Sequence, residues 1–272
     1  MSRVWRLSVG SLLVHAIEDG GMCRASDEMF PGSPPEIWAE WLEDGLLSVS
    51  FGEFLLTTTA GRHILIDTGP GPNGSSYPGG SKGSLGTALE LIGVETDEID
   101  LIIHTHLHLD HCGGDSTIDG EPAFANAAVI CQQDEHDFWM TTDIAKSDVI
   151  RAAVAPVQAA GLWKTVSGTA EVSPGVYLYL APGHTPGHQF VVADDGQDSI
   201  VFGGDAAHHR MQIEHPELAM FADLDPVKAE RVRRELFQKP DLIALNHFVR
   251  PGRVDWEGSA PRFVEQPAET VG

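Results

Sequence analysis

Cysteine is scarce in this 272-residue chain. Cys23, Cys112 and Cys131 are the only three, at irregular spacing. That excludes a disulfide framework and fits a reducing, cytoplasmic setting. Basic residues are also few: 17 Lys and Arg stand against 40 Asp and Glu, a net charge of −23. So acidic a surface repels nucleic acid and anionic membranes, and its simplest role is solubility. No apolar run reaches the roughly 18 residues of a membrane span. The stretch Met1-Ser2-Arg3-Val4-Trp5-Arg6-Leu7 has no basic segment followed by a long apolar block, so no secretory signal is expected. With 42% hydrophobic residues, the chain can build a sizeable core. No linker composition or internal repeat divides it, and one domain over 1–272 is expected.

The richest segment is a His-x-His-x-Asp-His cluster: His106, His108, Asp110 and His111. It follows the apolar run 99–104, which reads as a short buried strand, and precedes Gly113-Gly114. A strand end holds side chains firmly, and residues two apart point to the same side. His106 and His108 can therefore converge on one metal ion, while a turn starting at Asp110 sends Asp110 and His111 toward a second. Imidazole and carboxylate suit zinc and its neighbours manganese, iron and cobalt.

The periodicity predicts strands and helices mixed along the whole chain. Strands are expected within 4–17, over 54–59 and 63–67 as a pair, and over 127–131, 176–181, 190–193, 199–203 and 242–245. Helices are expected over 85–92 and 144–160. Another should begin at Pro226 behind an Asp225 cap, with Glu230 and Arg234 as an i,i+4 pair. Ser33 and Glu36 have capping-box spacing with Pro34 between them, so a helix is expected within 30–44. The stretch 69–86 is a Gly-, Pro- and Ser-rich loop and a candidate lip over the site. Such mixing argues for two sheets with helices outside them.

Further strand ends carry metal-binding residue types. His184 opens Gly183-His184-Thr185-Pro186-Gly187-His188, Asp205 ends Phe202-Gly203-Gly204-Asp205, His247 follows the last core strand, and Asp67 precedes Thr68-Gly69. With these motifs, from about Leu7 to Phe248, the chain resembles the metallo-β-lactamase-fold hydrolases. The resemblance implies an α/β (α+β) fold, an αββα sandwich of two mixed sheets flanked by helices. It implies one metal held by His106, His108 and His184, a second by Asp110, His111 and His247, Asp205 bridging them, and Asp67 orienting a ligand. Five neutral imidazoles and two carboxylates would leave two divalent ions at a net charge of about +2.

The segment Gly203–Gln212 is similar to the branch that contains lactonases and methyl-parathion-hydrolase-like enzymes, as are Phe221–Pro226 and the helix with Arg231, Arg233 and Arg234. That likeness implies a dinuclear lactonase of the acyl-homoserine-lactone type, with a hydroxide shared by two ions, zinc first among the candidates, attacking the ring carbonyl. Asp110 has two candidate roles, ligand and proton carrier. Where acyl-homoserine lactonases place a tyrosine three positions after the bridging Asp, this chain has His208. An imidazole there can donate the equivalent hydrogen bond. Competing readings are an organophosphate triesterase or arylesterase of the same fold, an iron-dependent persulfide dioxygenase, and a non-catalytic member. Retention of all seven donors disfavours the last two.

His104, His188 and His209 match no ligand position, so supporting roles are expected. Cys112 reads as a small packing residue. Met22, Met29, Phe30, Trp38 and Trp41 are candidates for an acyl-chain pocket or a dimer interface, with core packing as the alternative for the tryptophans. Trp139 and Met140 are weaker candidates for the site rim. The partner is thus expected to be a small lactone or ester.

Overall fold

A computed structural model describes residues 3–72, 80–145, 147–239, 241–257 and 260–271. Two sheets stack face to face with helices outside them, the αββα sandwich. The first runs in the order β16 (Glu269–Val271), β1 (Arg3–Val9), β2 (Leu12–Arg24), β4 (Leu46–Thr57), β5 (His63–Ile66), β6 (Leu101–Ile103), β7 (Ala128–Gln132), β8 (Trp163–Val166). A short β3 (Leu42–Glu43) pairs with β4. In the second sheet the order is β15 (Arg262–Glu265), β14 (Gly252–Asp255), β13 (Leu242–Ala244), β12 (Ser199–Phe202), β11 (Gln189–Asp194), β10 (Val176–Leu180), β9 (Ala170–Ser173).

Both sheets are mixed. β5 to β8 are parallel neighbours in the first sheet, and β12 and β13 are parallel in the second. Parallel strands covered on both faces read as continuous apolar runs, and Ile64-Leu65-Ile66 and Leu101-Ile102-Ile103 are such runs. Their alternate residues face two different cores. Ile64, Ile66, Leu101 and Ile103 pack between the sheets with Val191, Phe202 and Ala244, whereas Leu65 and Ile102 pack outward with Leu85, Leu89 and Val157. The Phe54 and Phe202 rings meet across the sandwich at 5.3 Å.

The helices are α1 (Ser26–Met29), α2 (Leu85–Leu91), α3 (Leu109–Cys112), α4 (Gln133–Thr141), α5 (Ser147–Ala159), α6 (Met211–Glu214) and α7 (Pro226–Phe237). Ile150, Ala153, Val154 and Val157 form the buried stripe of α5 at helical spacing. The Asp225 carboxylate accepts from the Lys228 N–H at 3.1 Å and caps α7, with Pro226 in its first turn.

The expected helix within 30–44 does not form. Only Pro35–Trp38 turns, as a 3₁₀ segment without a side-chain cap. The Ser33 hydroxyl is engaged elsewhere: it donates to the Phe30 carbonyl at 2.7 Å and accepts from the Trp38 indole at 2.8 Å. The strand expected over 54–59 is the end of the longer β4, which curls from Leu46. Helix α4 and strands β8, β9 and β14 to β16 were not foreseen. Residues 73–79 of the 69–86 loop lie outside the described residues. No helix among the described residues is long and apolar enough to cross a membrane.

Phe202→Ala should lower stability by about 3–5 kcal/mol in urea denaturation, because the tight inter-sheet layer cannot collapse around the cavity. Val227→Ala, on a side chain 79% exposed, should stay within about 0.5 kcal/mol.

Candidate metal centre

Strands running in one direction deliver their C-terminal ends to one edge of the sandwich. β5 ends at Asp67, β6 at the His106–His111 segment, β10 before His184, β12 before Asp205 and β13 before Asn246 and His247. The chain can bend there only at special backbone positions. Asp67 itself has a positive φ of 62°, which is uncommon outside glycine and is held by the contacts described below. Gly204 has φ +53°, and a Cβ there would lie 2.6 Å from His188 Nε2. A Cβ on Gly114 would lie 2.0 Å from the Thr68 carbonyl, so the Gly113-Gly114 pair serves close approach to the β5 end as much as turning.

The structure brings all seven predicted donors together. His106, His108, His184 and Asp205 form one set, and Asp110, His111 and His247 another. His108 Nδ1 lies 2.9 Å from both His106 Nε2 and His184 Nε2. Asp205 sits at the junction. Its Oδ1 is 3.1 Å from His111 Nε2, and its Oδ2 is 3.1 Å from His247, 3.3 Å from His184 and 3.6 Å from His106. His111 Nε2 and Asp205 Oδ1 are buried and make no hydrogen bond despite their approach. The converging imidazole nitrogens and carboxylate oxygens form donor sets that fit two divalent cations sharing Asp205.

A layer of partners fixes which nitrogen each ring presents. His184 Nδ1–H donates to Asp223 at 2.9 Å, His247 Nδ1–H to the Ser50 carbonyl at 2.7 Å, and His111 Nδ1–H to Asp67 at 2.8 Å. Each therefore turns Nε2 inward. Asp67 also accepts from the Thr105 N–H and hydroxyl and from the Asn246 amide. Burial opposes its charge, but His111 and His104 hold its pKa down at about 2. Asp223 is kept at about 2 against burial by His184 and by Arg233, a buried guanidinium 3.3 Å away.

Burial and neighbouring imidazoles hold His106 and His108 well below the ordinary histidine range, whereas, despite burial, Asp205 and neighbouring carboxylates lift His111, His184 and His247, so ligation there must displace protons. Burial likewise depresses His208 to about 4 although Asp205 pulls the other way. His208 lies 3.2 Å from Asp205 Oδ2, lines the cavity, and neither ring nitrogen has a hydrogen bond among the described residues. Its backbone N–H is fixed by Gln212 at 2.7 Å.

His104 and His188 lie behind the donors. His104 Nε2 contacts Asp115 at 3.0 Å, and despite burial Asp115 and Asp67 lift its pKa to about 9. His188 donates from Nδ1 to the Ala181 carbonyl and accepts from the Asp205 N–H, holding that residue's backbone. Cys112 is buried with its thiol toward the Leu107 carbonyl and belongs to none of the donor groups among the described residues.

A cavity of about 480 Å³ opens over Asp110, His108, His184, Asp205, His208 and His247. Met22, Trp139, Ile144, Ile150, Met220 and Leu224 supply its apolar wall, with Arg24 and Phe221 beside them. Of the residues proposed from the sequence to shape substrate, Met22 lies on this wall. Phe30, Trp38 and Trp41 do not. Phe30 and Trp38 stack at 4.7 Å inside a buried cluster with Met29 and Phe51. Trp38 and Trp41 instead embrace the His209 ring, at 5.3 and 4.7 Å. Through His209 they brace the segment after Asp205 rather than lining the cavity.

Asp223, Arg233, Asp115 and Glu135 were missed as site residues. Most of their partners are distant in sequence, and only the segment around Asp223 and the helix with Arg233 carried a hint.

The chain is similar to known proteins over most of its length. A family model described as the metallo-beta-lactamase superfamily matches residues 54–247. The N-acyl homoserine lactonase AiiA of Bacillus thuringiensis subsp. kurstaki is 28% identical over 222 residues, covering 74% of this chain and 82% of the relative. The crystal structure of hydrolase AbOPH in the beta lactamase superfamily matches with a TM-score of 0.86 at 28% identity, over 98% of both chains. An N-acyl homoserine lactone hydrolase solved with N-hexanoyl-L-homoserine at its catalytic metal center matches at TM-score 0.65 and 25% identity, covering 86% of this chain and 92% of that one.

Asp205→Asn should leave the protein with less than two ions per chain after dialysis, as counted by elemental analysis. Asp223→Ala removes the acceptor that holds the His184 ring and should weaken metal binding about 10–100-fold in a chelator competition. Unchanged metal content in both variants would contradict the donor assignment.

Proposed function

This chain belongs to the metallo-β-lactamase superfamily, and we propose that it is a dinuclear metal-dependent lactonase acting on N-acyl homoserine lactones. The observation that carries the reading is the meeting of seven metal-donor side chains with the floor of an apolar cavity of about 480 Å³. That volume suits a drug-sized ligand. The likeness to AiiA supports the substrate class.

His106, His108 and His184 would hold one ion, and Asp110, His111 and His247 the other, with Asp205 between them. Zinc fits this imidazole-rich set best, with manganese, iron and cobalt as substitutes. When bound, the two ions supply Lewis acidity toward a carbonyl oxygen and lower the pKa of water.

The protein's own groups do the rest. The wall of Met22, Trp139, Ile144 and Met220 takes the acyl chain and keeps water from it. His208, neutral at physiological pH, donates Nε2–H to the ring carbonyl oxygen as negative charge grows there. A donor preorganised in a dry site is worth more than in water. Asp110 borders both the cavity and the second donor set, with its Oδ2 3.9 Å from His111 and His247. It takes the proton that the attacking water gives up and passes it to the ring oxygen as the bond from that oxygen to the carbonyl carbon breaks.

Proton release from an N-acyl homoserine lactone at fixed pH tests the reading. Metal-stripped protein should be inactive, and zinc- or manganese-reloaded protein should release one proton per ring opened. Full loading without release would overturn the lactonase reading, and phosphotriesters and aryl esters would be assayed next. His208→Phe should keep its metal and lose about 10²-fold in kcat/KM. An unchanged kcat/KM would remove His208 from the mechanism.

A further inference from the structure

Glu135 lies in the first turn of α4 with no solvent exposure. A buried carboxylate must find partners or give up its charge. Its Oε1 accepts from the Leu107 N–H at 2.9 Å and the Trp139 indole N–H at 2.8 Å. Its Oε2 accepts from the Thr185 hydroxyl at 2.6 Å and the Gly187 N–H at 3.0 Å. Two backbone amides and an indole can only donate, so the position calls for a group that accepts on both atoms. Burial raises the Glu135 pKa, and the four donors oppose that rise.

These donors share a location. Leu107 lies between His106 and His108 on the loop after β6, in the first sheet. Thr185 and Gly187 follow His184 on the loop after β10, in the second sheet. Trp139 lines the cavity, with its ring 5.3 Å from that of His108. The approach is close: a Cβ on Gly187 would lie 2.2 Å from Glu135 N. One carboxylate therefore ties together the two ligand loops that arrive from opposite sheets. In the other donor set Asp67 backs His111 and the Ser50 carbonyl backs His247, while Asp67 also holds Thr105 beside His106.

We propose that Glu135 is a positioning residue for the His106, His108 and His184 donor set, fixing the spacing between the two loops that carry it. The inference rests on reading those three histidines as metal ligands. Glu135 touches no donor ring and acts through the backbone.

Glu135→Gln is the test. Gln keeps the shape but turns an NH2 toward one pair of donors, so either the Leu107 or the Gly187 backbone N–H loses its acceptor and the loop carrying it is loosened. Metal-stripped wild type and variant are titrated with Co2+, followed by visible absorption and calorimetry. The variant should weaken one of the two binding steps about 10–100-fold and leave the other in place. Trp139→Phe, which removes one donor and keeps a ring, should weaken the same step by less. Equal weakening of both steps would mean general loosening and would overturn the proposal, as would two unchanged steps. Should Glu135→Gln yield no folded protein, Thr185→Val and Trp139→Phe decide. Each should weaken the same single step, and neither doing so overturns the proposal. No lactone enters the titration, so a wild type that binds two ions and opens no lactone would end the functional reading and leave this test intact.

Discussion

The carboxylate of Asp205 is buried where five imidazoles converge. Those of His111 and His247 stand 3.1 Å from its oxygens, His208 3.2 Å, His184 3.3 Å and His106 3.6 Å. An isolated charge in such a place would be costly, and so would ring nitrogens crowded against one another and left to share too few protons. Divalent cations resolve both problems at once. Around that centre, strand directions deliver the donors to one edge, and glycines at 114, 187 and 204 let backbones approach where a Cβ would collide.

The donors are held by a deeper layer of carboxylates with a division of labour. Asp67 binds the end of β5 to the His111 side of the site and, through Asn246, to the loop before His247. Asp223 sets the His184 ring and is itself braced by buried Arg233. Glu135 holds loop backbones rather than rings. Each of these acids joins segments from different parts of the chain, so the site's geometry is a property of the closed sandwich and not of any one loop.

That division explains what could be read from sequence. The donor types were legible because each lies next to an apolar strand, a local pattern that survives folding: Leu101-Ile102-Ile103 before the His cluster, and Ser199–Phe202 before Asp205. Asp223 and Glu135 were not legible, because their partners lie 39 and 50 residues away at His184 and Thr185. The capping-box spacing at Ser33 misled for a related reason. Tertiary contact between Ser33 and Trp38 claimed the hydroxyl that a helix would have used. Phe30, Trp38 and Trp41 carried the right chemistry for a pocket wall, yet spacing alone does not say which face of the site an aromatic ring will meet.

The central claim is that Asp205 joins the two donor sets into a single dinuclear centre. Electron paramagnetic resonance of the wild-type chain reloaded with Mn2+ tests it most directly. The account predicts two equivalents bound per chain and the spectrum of an exchange-coupled pair. One equivalent, or the six-line signal of isolated ions at full loading, would contradict it.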